Sequence, residues 1–66
     1  MRLIVNGEDH EFSDIESVED LLRRLEIDAK YRAVAVNRQV VSRTDYGEHI
    51  LKDGDRIEIV RPVSGG

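Results

Sequence analysis

Only one stretch of this chain spaces its apolar residues at a helical period. Val18, Leu21, Leu22 and Leu25 fall at i, i+3, i+4 and i+7, with Glu19, Arg23, Arg24 and Glu26 filling the other side. That pattern predicts one amphipathic helix of about two to three turns. Ser17 is a suitable N-cap, and Asp20 stands where an acidic side chain helps a helix start. Ile27 is expected to add to the core just past the end. The other apolar residues come in short runs of strand length. A single helix covers a single face of a sheet, so the remaining strands must leave their other face open.

The strands follow from alternation and turn chemistry. Met1, Leu3 and Val5 share one face of a first strand, with Ile4 on the other. Asn6-Gly7 is a strong two-residue hairpin signal, because a type I′ turn needs positive φ at both central residues. Glu8 to Phe12 is then the returning strand, with His10 and Phe12 on one face. Ala33 to Val36 is a short apolar run. A turn at Asn37-Arg38 or Arg38-Gln39 follows it, and Val40-Val41 continues the extended chain. Residues 42–48 read as irregular. Asp53-Gly54 marks another turn. In the last strand Ile57 and Ile59 point inward, while Arg56, Glu58 and Val60 point outward.

Two hairpin-like halves therefore flank one helix. The first and last strands are the most apolar and are expected side by side in the sheet centre. If they run parallel, the connection through the helix supplies the crossover that such a pair needs. This is a β-grasp (ubiquitin-like) α+β arrangement: a mixed four- to five-stranded sheet with one main helix on one face. The expected limits are 1–61 for the domain and 62–66 for a flexible C-terminal tail. On the uncovered face, Ile4, Val60 and one of Val40 or Val41, here Val41, are the candidate docking residues.

Composition narrows the function. The chain has 66 residues and no cysteine, so it holds no disulfide, thiolate zinc site or cysteine nucleophile. Fourteen acidic residues against ten basic ones give a net charge of −4, which argues against nucleic acid as a partner. The apolar runs are too short to span a membrane, and the N-terminal residues lack the pattern of a signal peptide. The expectation is a cytoplasmic domain with a core and no deep pocket. His10 and His49 are the only side chains suited to proton transfer near neutral pH, and neither has a nucleophile or orienting carboxylate at useful spacing. Two histidines without a third ligand make no metal site, so neither catalytic nor metal-binding residues are assigned. The carboxylates of residues 9–20 read as a solvated acidic face.

The tail carries the most specific signal. A Gly65-Gly66 pair has no side chains, so it can thread a narrow channel, and the group it delivers is the α-carboxylate of Gly66. A carboxylate becomes an acyl donor once its oxygen is a leaving group. Adenylation by ATP does this, with the protein as substrate and a partner as enzyme.

The chain resembles the ubiquitin-like sulfur carriers of the ThiS type, in thiamine biosynthesis. The resemblance runs through Ile4-Val5-Asn6-Gly7-Glu8, Ser17-Val18-Glu19-Asp20-Leu21-Leu22, Val34 to Val41 and Arg43. It continues through His49 to Ile59 and Val63-Ser64-Gly65-Gly66. It implies that a ThiF-type enzyme adenylates Gly66 using ATP and Mg, so that the chain itself binds no cofactor. A persulfide donor then supplies sulfur for a thiocarboxylate, which thiazole synthase consumes. Pro62, Val63, Ser64 and Gly65 correspond to the tail that enters partner active sites, and a free monomer suits such a shuttle.

Two other readings start from the same residues. Pro62 near the tail is also similar to the molybdopterin-synthase small subunit, a usually longer family, and related carriers serve tRNA thiolation or attach to protein lysines. Val36 to Ser42 followed by Leu51 to Ile57 also looks like the end of an S4-type RNA-binding module. That module should carry two basic helices upstream, where this chain has a hairpin and an acidic helix.

Overall fold

The computed structural model describes residues 1–28 and 32–60. Five strands form one sheet: β1 (Arg2–Val5), β2 (Glu8–Glu11), β3 (Ala33–Val36), β4 (Gln39–Val41) and β5 (Arg56–Val60). Their spatial order is β2-β1-β5-β3-β4. The first and last strands do lie together, and β1 runs parallel to β5, with Val5 opposite Ile57. The other three pairings are antiparallel. This is the mixed sheet of a β-grasp fold.

The helix α1 (Val18–Arg24) covers one face and buries Val18, Leu21 and Leu22. Leu25 and Ile27 pack at the rim of the core. Its start is fully satisfied. The Ser17 hydroxyl accepts from the Asp20 N–H at 3.2 Å, and Asp20 Oδ2 accepts from the Ser17 N–H at 3.1 Å, a reciprocal capping box. The Val18 and Glu19 N–H groups donate to the carbonyls of His49 and Tyr46. The segment between β4 and β5 is thereby drawn across the helix N-terminus, which answers the need of a first turn for acceptors.

Residues 42–48 are more ordered than their sequence implies. Arg43–Asp45 form a 3-10 helix, and the adjacent Tyr46 is buried in the core. A polar run with one aromatic gives no periodic signal, so only tertiary packing reveals that Tyr46 fills the space below α1.

Both hairpins turn through left-handed residues. Asn6 and Gly7 have φ of 49° and 83°, and Asn37 and Arg38 have φ of 51° and 70°. The second turn therefore lies at Asn37-Arg38, where Arg38 occupies a position that suits glycine. This placement fixes the register: Val34 faces Val41, and Ala35 faces Val40.

Candidate functional site: the open sheet face and the exit of β5

The face away from α1 is built by alternate residues. Leu3 and Val5 point to the core, so Ile4 points out, opposite Asp9 on β2 and Arg56 on β5. Ile57 and Ile59 point toward the helix side, leaving Arg56, Glu58 and Val60 outward. Ala35 completes a row between Glu58 and Val40, and Ala33 lies opposite Val60. Val40 is 80% exposed and Val60 57%.

One docking residue needs correction. Val41 is 7% exposed and belongs to the hydrophobic core, so it cannot line the open face. Its cross-strand partner Val34 is a core residue, and directly paired residues share a face. The outward member of the pair is Val40. Ile4 and Val60 lie on the open face as expected.

The face is mixed rather than uniformly apolar. Val40, Ala35, Ala33 and Val60 gather toward the end of β5, while the β1–β2 side carries charge. There Arg2 Nε lies 3.4 Å from Asp9 Oδ1, and the Met1 amino group lies 2.9 Å from Glu11 Oε2. An open depression between the two regions is lined by Ile4, Asn6, Gly7, Arg56, Ile57 and Glu58. The apolar half adjoins the point where the chain leaves β5 for residues 61–66. Pro62, Val63, Ser64, Gly65 and Gly66 lie outside the described residues.

The exit of β5 is held by a side chain that the sequence reading treated only as a turn residue. Asn6 Oδ1 accepts from the Ile59 N–H at 2.8 Å, and Asn6 Nδ2 donates to the Ile59 carbonyl at 3.3 Å. Asn37 does similar work at the entry of the same strand. Its Oδ1 accepts from the Arg56 N–H at 3.0 Å, and its Nδ2 donates to Asp55 Oδ1 at 3.0 Å.

Among the described residues, the histidines join no catalytic constellation. His10 stacks on Phe12 with ring centroids 5.8 Å apart, and its Nε2 is 3.7 Å from Glu8 Oε1. His49 is half-buried, and its carbonyl serves the helix start. Among the described residues, no group of three or more His, Asp or Glu side chains converges as metal ligands would, and no helix is long and apolar enough to cross a membrane. The Glu16 backbone N–H, followed by that of Ser17, holds the Asp20 carboxyl below the usual carboxylate range. Ile50 is a third exposed large apolar residue. It sits at an isolated bridge to Ser17, away from the sheet, and carried no periodic signal.

Element order, sheet topology and a single covering helix define a β-grasp domain. A family model described as the ThiS family matches residues 3–66. The chain belongs to the ThiS family. It is 30% identical to the sulfur carrier protein ThiS of Escherichia coli over 66 residues, which is all of both chains. It is 39% identical to a thiazole synthase of Paramagnetospirillum magneticum, matching over its whole length but spanning only 20% of that protein. The crystal structure of a thiamine biosynthesis protein (ThiS) from Geobacter metallireducens superposes with a TM-score of 0.88, at 33% identity and with full coverage of both chains. The RNA-binding alternative does not fit this architecture, because a β-hairpin and one acidic-capped helix occupy the described region before β3.

Proposed function

We propose that this chain is a sulfur carrier for thiamine biosynthesis, acting as a substrate and carrier rather than as an enzyme. The observation that carries the reading is the end-to-end correspondence with a sulfur carrier of equal length. In this reading, a ThiF-type enzyme holding Mg and ATP activates the Gly66 carboxylate. A carboxylate oxygen attacks the α-phosphorus, pyrophosphate leaves, and an acyl-adenylate results. The terminal sulfur of a persulfide then attacks the acyl carbon, and AMP departs. A thiol cleaves the resulting acyl disulfide, releasing a thiocarboxylate and forming a new disulfide. Thiazole synthase is the proposed acceptor, supported by thiazole synthases that contain a segment similar to the whole of this chain. The proposed setting is the cytoplasm.

The physical division of labour fits a small domain. The core supports a rigid sheet, the open face docks, and the reacting group arrives on residues with little side chain. Pro62, Val63, Ser64 and Gly65 are the proposed inserted segment. Ile4, Val40 and Val60 are the proposed apolar contacts, Val40 replacing Val41. The test is ATP–pyrophosphate exchange by a ThiF-type activating enzyme. Exchange should depend on this chain and vanish when Gly66 is deleted; exchange that persists after that deletion would remove the reading.

A further inference from the structure

β1 turns away at Asn6-Gly7, but β5 continues past that point. Along the paired region, the Ile4 N–H donates to the Asp55 carbonyl and the Asn6 N–H to the Ile57 carbonyl. Continuing that spacing, Ile59 should meet one more peptide group of β1, and the chain has already left. The Asn6 carboxamide stands there instead. It offers the same pair as a peptide, a C=O for the Ile59 N–H and an N–H for the Ile59 carbonyl. The Ile59 N–H also identifies which Asn6 atom is oxygen, since only an acceptor can face it.

Two demands meet at position 6. The backbone sits at φ 49°, which asparagine tolerates better than other residues with a side chain. The side chain must also be a one-carbon-linked amide. Aspartate would lack the donor and glycine both groups, while glutamine would place its amide one carbon too far. Ile59 is followed by Val60 and then by residues 61–66.

We propose that Asn6 is a positioning residue for delivery of the C-terminal carboxylate, because it locks the backbone from which the tail departs. This role rests on the carrier reading above. With the clamp in place, the last residues of β5 are held from the β1 side as well as by β3, so the backbone is fixed to the end of the strand. Without it, the end of β5 keeps only its pairing with β3, where Ile59 lies opposite Val34 and Val60 opposite Ala33. A docked carrier would then bring its carboxylate to the nucleotide in fewer productive orientations. The apolar contacts of the docking face, Ile4, Val40 and Val60, would be unchanged.

Asn37 supplies the control. It occupies the same position in the other hairpin, at a similar φ, and grips the entry of the same strand, at the opposite end of β5 from Val60. Asn6→Gly and Asn37→Gly both keep a turn that accepts positive φ, so both variants are expected to fold. Two readouts are taken on each: amide exchange by NMR, and the kcat and KM of a ThiF-type activating enzyme for the carrier. Asn6→Gly should speed exchange at Ile59 and lower kcat by about threefold to tenfold, with KM little changed. Asn37→Gly should speed exchange at Arg56 and leave both kinetic constants near those of the unmodified chain. Asn6→Asp, which keeps the acceptor alone, should fall between. Unaltered kcat in Asn6→Gly, unaltered Ile59 exchange, or an equal kcat loss in Asn37→Gly would each overturn the proposal. An unmodified chain that the enzyme does not activate would overturn the carrier reading instead, and the Ile59 exchange would still show whether the clamp exists.

Discussion

Val40 and Val41 are neighbours with identical side chains, yet one is 80% exposed and the other 7%. Replacing each in turn with threonine tests the two-faced sheet directly. Threonine keeps the volume and the β-branching, so strand propensity is nearly constant and the added hydroxyl is the main change. At Val41 that hydroxyl enters the buried cluster that includes Val34, Leu21 and Ile57, where it loses its water. Such burial costs about 1–3 kcal/mol in proteins. For a domain of this size each kcal/mol moves the melting midpoint by roughly 4–8 °C. Val41→Thr should therefore melt at least about 4 °C lower than the unmodified chain. At Val40 the hydroxyl stays in water, and the change should be within about 0.5 kcal/mol. Circular-dichroism melts and urea titrations at constant slope would measure both. Equal losses for the two variants, or a larger loss at Val40, would refute the register of β3 and β4 and the open face built on it.

Three further outcomes follow from the same geometry. Arg38→Gly should stabilise the chain by about 0.5–1 kcal/mol: left-handed backbone costs a side-chain-bearing residue roughly 1–2 kcal/mol, and the extra freedom of unfolded glycine returns part of that. A urea midpoint that falls instead would contradict the strained turn. The folded-state pKa of Asp20 lies below its unfolded value, so its contribution is present above the unfolded value and is lost as pH falls through the folded one. The stability gap between the unmodified chain and Asp20→Asn should accordingly shrink along the acid limb, and a pH-independent gap would count against the capping box as its source. His10→Gln and His49→Gln, provided they fold, should leave activation of the carrier intact, because in the proposed cycle the partner supplies the catalysis; complete loss in a folded variant would contradict that.

Much of the fold was legible because each local signal agreed with the whole. The helix announced itself through its period and its capping residues, and the first hairpin through Asn6-Gly7. The strongly apolar end strands pointed to the central parallel pair. Legibility stopped where two local choices were close in energy. A turn at Asn37-Arg38 or one residue later both suit the residues present, and either one pairs Val41 with an inward valine, Val34 or Val36, so the face of Val41 follows from which residues of β3 point inward rather than from the turn alone. Asparagine's tolerance of left-handed backbone was the available clue, and Val34 as an inward residue would then have paired with Val41. Tyr46 and Ile50 were hidden for another reason. They lie in an irregular segment whose shape is set by its contacts with α1, and no period marks which of its side chains turn inward. The amides of Asn6 and Asn37 have dual roles, and a turn motif records only one of them.

The candidate site divides along the same line. Ile4 and Val60 follow from strand alternation alone, whereas Val40 needed the inward face of β3, on which Val34 and Val36 lie. The concentration of apolar side chains near the end of β5 needed the strand order, because Val40 and Val60 are far apart in sequence and come together only through β3.

The central claim is that sulfur is carried on the Gly66 carboxylate. Top-down mass spectrometry would test it most directly, after incubation with a ThiF-type activating enzyme, Mg-ATP and a persulfide donor. The account predicts replacement of one oxygen by sulfur, confined to the fragment that ends in Gly66 and absent when ATP is withheld. An unchanged terminal fragment under conditions in which the enzyme processes a known ThiS carrier, or sulfur found on any other residue, would contradict it.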